Sequence, residues 1–124
     1  MSAFENPIGV TSFQSGVDMS ATPFRAVKVA SGVLAYAGVG DVAVGLVQNK
    51  PALNATGTVM FCGISRGVAS AAIAEGAKVA PAANGKLRVA VSGDTPIGVA
   101  LTAAGAADEI IPVALTCIGG CPLP

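Results

Sequence analysis

Short runs of alternating apolar and polar residues, broken by Gly, Ser, Asn or Pro, make up most of this chain. FRAVKVA (24–30) puts Val27 and Val29 on one face and Lys28 on the other, the pattern of a half-buried strand. VLAY (33–36) follows a Ser-Gly turn, and VAVGLV (42–47) follows a Gly-Asp turn. TVMFCGI (58–64) is apolar on both faces, which predicts a central strand. GAKVAP (76–81) leads to Ala-Asn-Gly at 83–85, where Asn-Gly tolerates positive φ and predicts a hairpin. KLRVAV (86–91) then alternates, with Leu87, Val89 and Val91 expected inward and Lys86 and Arg88 outward. IGVAL (97–101) and EIIPVAL (109–115) close the series. Pro112 lacks a ladder donor, so the last strand is expected at an edge or with a bulge.

The helical candidate is VASAAIAEG (68–76), with alanines that favour helix and Gly76 to end it. A single turn or a connector is the alternative. Many short strands with turn signals between them predict an all-β fold, a compact small barrel or sandwich.

Residues 1–23 show no such period. Phe4, Ile8, Val10, Phe13, Val17 and Met19 stand singly among small and polar residues. The segment reads as an extended N-terminal arm. Its spaced anchors suit docking along a neighbour, and the alternative is folding back onto its own domain. Phe4, Ile8, Val10 and Phe13 are the candidate contact residues. The chain therefore divides into an arm (1–23), a β-domain (24–116) and a tail (117–124).

An internal repeat runs through the β-domain. VASGVLAYAGVGDVAVGLVQ (29–48) resembles 74–91 followed by 93–101, with Gly before a strand, a Gly turn, then V-G-L-V or I-G-V-A-L. NKPALNATGTVMFC then aligns with TAAGAADEIIPVALTC, setting Cys62 against Cys117 with a two-residue length difference.

Composition narrows the function. At 124 residues the chain is expected to bury one core. Only 11% of residues are charged, against about a quarter in a typical soluble domain. So little charge predicts exposed apolar patches or a surface covered by partners, and so self-association. Net charge is zero and no basic stripe exists, which argues against nucleic acid. No apolar run reaches the length of a membrane span, and MSAFENPIGV lacks the form of a signal peptide. The expectation is synthesis in the cytoplasm, with no membrane partner.

Chemistry is scarce. There is no His, so no Ser-His or Cys-His pair can form. Asp108 and Glu109 are adjacent and would point to opposite faces of a strand. GVGDVAVG (38–45) is not a dinucleotide fingerprint, and Gly85-Lys86 is followed by Leu87, which is no P-loop. Cys62, Cys117 and Cys121 are odd in number and have no His to complete a metal set, so the reading is free thiols that pack as small apolar side chains. No enzyme, metal or cofactor is expected.

The order of these elements resembles the small capsid cement, or head decoration, proteins of tailed bacteriophages. The resemblance spans roughly 24–115, through EGAKVAPAANGKL and GDTPIGVALTAAGAADEIIPVAL. It rests on Gly76, Val79, Gly85, Ile97, Gly98, Val99, Ala100, Ala103, Ala104, Ile111, Val113 and Leu115. The CIGGCPLP tail and the long first segment depart from it. The resemblance implies a compact β-fold on the outer surface of the virion capsid, with the major capsid protein and copies of itself, as a homotrimer, for partners. The alternatives are a β-barrel ligand- or glycan-binding module on a virion surface and a minor tail or baseplate component. With only five aromatics, a glycan platform has little to be built from.

Overall fold

The computed structural model describes residues 6–116, and side chains from residue 9 onward. It is all-β, as the alternation predicts. The strands are β1 (Asn6–Gln14), β2 (Ala26–Ala30), β3 (Val33–Tyr36), β4 (Gly45–Val47), β5 (Thr56–Val68), β6 (Lys78–Pro81), β7 (Leu87–Val89), β8 (Gly98–Ala100) and β9 (Ile110–Leu115). They form one antiparallel sheet in the order β3-β2-β4-β5-β9-β8-β6-β7, with β1 also on β5. The sheet curls into a half-barrel.

Strand β5 is the shared element. Its first half lies between β1 and β4, and its second half pairs with β9. The connectivity on the two sides is the same. β2 pairs with β3 and β4, and β4 with β5; β6 pairs with β7 and β8, and β8 with β9. Each unit is closed by one parallel bridge, Ser15 to Leu34 in the first and Ala69 to Leu87 in the second. The internal repeat is therefore real, and it is longer than its sequence signature. The first unit is β1 to the first half of β5. The second is the latter half of β5 to β9. β1 plays in the first unit the part that residues 60–68 play in the second, since Val10 faces Met60 as Ile64 faces Ala114.

The matched register corrects the alignment at its end. Leu46 pairs with Met60, and Val99 with Ala114. Cys62 thus corresponds to Thr116, not Cys117, and the two connecting loops differ by one residue rather than two. Cys62 is half-buried and disulfide-bonded, which overturns the free-thiol reading at that position. Cys117, Cys121 and the rest of the tail lie outside the described residues.

Two hydrophobic clusters replace the single core expected. Met19, Val27, Leu34, Val47 and Val59 form the first, with Phe13, Val17, Tyr36 and Val44 at its margin. Their counterparts Ile73, Val79, Leu87, Ala100 and Val113 form the second. Because strand side chains alternate, the back of the first unit is free to do something else. Its Ala26, Ala37 and Leu46 are fully buried and belong to the second cluster. The first unit thus roofs the second.

One local expectation resolves to its alternative and two fail, for identifiable reasons. Residues 69–76 form a connector, not a helix, since Val68 still belongs to β5 and Ile73 is drawn into the second core. Leu87 is buried, but Val89 and Val91 are 41% and 50% exposed, because β7 is an edge strand with no layer over its outer end. Pro112 sits in β9, which is internal between β5 and β8. Its carbonyl accepts at 3.0 Å from the N–H of Leu101, the residue just after β8, so the missing donor falls where regular pairing with β8 has ended. At the matching place in the first unit, Thr58 does have an N–H, and it donates to the Asn49 side chain at 2.9 Å.

The first segment is extended, as expected, but residues 6–14 lie along β5 of their own chain, the fold-back alternative. Met19 is fully buried in the first core.

The tightest strand contact occurs twice. A Cβ on Gly45 would lie on the Met60 carbonyl, 2.9 Å from its carbon, and one on Gly98 would meet the Ala114 carbonyl at the same distance. Both strand crossings require glycine. Gly45→Ala and Gly98→Ala are each expected to lower unfolding stability by about 1–3 kcal/mol, and by similar amounts. Urea denaturation of the two variants measures this, and unchanged midpoints would contradict the close pairing.

Candidate functional site

The N-terminal contact residues separate. Phe4 lies outside the described residues. Ile8 is in β1, with its side chain also outside them. Val10 is 49% exposed on β1. Phe13 is half-buried against the first core. Three positions apart on one strand, Val10 and Phe13 point to opposite faces.

On the Phe13 face lies an apolar groove of about 270 Å³, lined by Thr11, Phe13, Val44, Val59 and Phe61. β1 supplies Thr11 and Phe13, β5 supplies Val59 and Phe61, and Val44 comes from just before β4. Of these, sequence reading singled out only Phe13. The signal for Phe61 was its place in a run apolar on both faces, but one strand does not reveal which neighbours leave a gap over it.

An acidic turn recurs at the matching place in each unit. Asp41 accepts from Gly38 N–H at 2.8 Å, and Asp94 accepts from Val91 N–H at 3.1 Å. Asp41 is also paired with Lys28 at 2.9 Å. Asp94 receives both carboxylate bonds from one terminal nitrogen of Arg88, at 2.9 and 3.0 Å. Lys28 stands on β2 opposite Ala35, and Arg88 stands on β7 opposite Ala80. The cation has changed strand while staying on the same rung. These acids brace turns; nothing about them suggests catalysis.

Both carboxyls are held below the ordinary aspartate range, first by the backbone N–H and then by the cation, with burial opposing. Asp108 is lowered by Lys86, and Asp18 by Ser20.

The family model for phage cement proteins matches residues 12–115. This chain belongs to the phage cement protein family. It is a structural protein of the phage capsid. No curated protein sequence matches it. Its fold is similar to that of the head fiber gp8.5 N base in bacteriophage phi29, with a TM-score of 0.68 at 12% identity, covering 87% of this chain and 93% of that one. That likeness shows a shared fold.

A depressed folded pKa adds stability above the unfolded value and loses it as pH falls through the folded one. The cement protein should therefore hold its melting temperature at neutral pH and lose it below 3.8, the ordinary aspartate value. Asp94 is only 4% exposed, whereas the Asp41 side chain is 35% exposed. Asp94→Asn should cost about 1–3 kcal/mol at neutral pH, and Asp41→Asn less than about 1 kcal/mol. Thermal melts across pH 2–8 measure both, and equal losses from the two variants would contradict the assigned difference in burial.

Proposed function

We propose that this cement protein binds the outer surface of the assembled head through the major capsid protein and stabilises the shell, acting as a homotrimer without catalysis. The observation that carries the reading is the family match over 12–115 on a chain whose surface is short of charge. Among the described residues, Val10, Val39, Val42, Leu53, Val91 and Ile110 are exposed aliphatics. Burying such a side chain is worth about 1.5–3 kcal/mol, and a lattice of bound copies multiplies weak contacts.

β1 is the proposed contact element. Its exposed Val10 faces away from the groove, and Phe4 and Ile8 are assigned with it to the capsid. Phe13 lies on the other face and supports the strand from below. No chemistry enters this function. The protein adds non-covalent contacts between shell subunits, raising the barrier to their separation.

Heads lacking the protein, incubated with purified full-length chain, should bind it to saturation and retain their DNA to higher temperature. Val10→Asp should weaken binding at least tenfold, about 1.4 kcal/mol, while the free protein still melts cooperatively. Saturation without any gain in head stability would contradict the stabilising role, and unchanged binding by the variant would contradict the assignment of β1.

A further inference from the structure

The two cores are closed unequally. Over the second lies the back of the first unit, with Ala26, Ala37 and Leu46 in the cluster and Gln48 Nε2 donating to Ser65 Oγ at 2.8 Å. The turn at 83–85 completes the junction, as Gly85 N–H donates to the Ala37 carbonyl at 3.0 Å. Among the described residues, no corresponding sheet lies over the first core. At the corresponding place the structure has the open groove. Through the strand registers, Thr11 stands where Ser65 stands in the second unit, Phe13 where Gly67 stands, and Phe61 where Leu115 stands. Phe13 in place of a glycine fills part of the missing roof, and about 270 Å³ remains.

We propose that this groove takes the back of the second unit of another copy, so that copies join front to back as the two units join within one chain. The self-association in the preceding section is the premise, and the groove is the surface now assigned to it. Among the described residues, the surface that fits such a core is the back of this same fold. On the second unit that back carries Val99 for Leu46 and Ala90 for Ala37, both half-buried. Leu101 replaces Gln48, so the contact with Thr11 is apolar rather than hydrogen-bonded. Lys78, exposed, replaces Ala26 and would meet the turn at Ser31-Gly32, which is one residue shorter than that at 83–85 and leaves the ammonium room. The front and back differ, so the contact is heterologous and closes into a ring or grows into a filament.

Heterologous joining makes a specific demand. Thr11→Arg, at an exposed position, blocks the front and leaves the back intact; Val99→Asp does the reverse. In sedimentation velocity of the full-length protein, wild type should be oligomeric and each variant monomeric with a cooperative melt. An equimolar mixture should form a one-to-one dimer, because the back of Thr11→Arg still fits the front of Val99→Asp. If Val99→Asp melts without cooperativity, Lys78→Glu on the same face takes its place. A monomeric wild type, variants that keep the wild-type oligomer, or a mixture that stays monomeric would each overturn the proposal. Thr11→Arg that keeps the oligomer but no longer binds heads would assign the groove to the capsid and overturn it too. An oligomer that obeys the mixing rule but never binds heads would support this inference and defeat the capsid reading.

Discussion

A strand of 13 residues runs about 43 Å, longer than a small sheet needs. β5 spends that length on two units at once. Its first half completes one and its second half begins the other. Because side chains alternate, the sheet of the first unit has a face for each core: Val27 and Val47 point to one, Ala26 and Leu46 to the other. The small residues Ala26 and Ala37 let the sheet approach closely, and the glycine at each β4-like crossing lets neighbouring backbones meet. Unfolding either unit would strip the partner of its end strand or its roof.

This construction suits a cement protein. A chain with little charge and no convergent chemistry offers surfaces, and strand pairing makes those surfaces stiff. β1 shows how one strand can serve two purposes. Val10 faces outward, while Thr11 and Phe13 edge the groove. A capsid contact and a subunit contact can thus lie on opposite faces of one element without competing.

Much of the fold was legible. Short apolar or alternating runs between turn signals located β2 to β9, and Asn84-Gly85 marked the β6–β7 turn, where both residues take positive φ. The repeat was visible because Gly45 and Gly98 must both be glycine. β1 was missed for physical reasons. Its exposed face is polar at Ser12 and Gln14, and its pairing is irregular around Gly9, so no clean period survives. The match was nevertheless present in three residues, since Gly9-Val10-Thr11 stands against Gly63-Ile64-Ser65. Pro112 misled because a missing donor forbids only the bond on its own side, and β8 ends before that bond. Of the candidate site, Phe13 and Val10 were legible as apolar residues out of place. The groove was not, because it is defined by a layer that, among the described residues, covers the second core and not the first.

A two-unit cement protein placed outside the shell, with copies in contact, makes a specific demand on the particle. A cryo-EM reconstruction of heads with and without the protein tests this most directly. Difference density on the outer surface, in clusters of two-lobed units that touch front to back, is the predicted result. Density inside the shell, density confined to the tail, or isolated units with no neighbour in contact would contradict it.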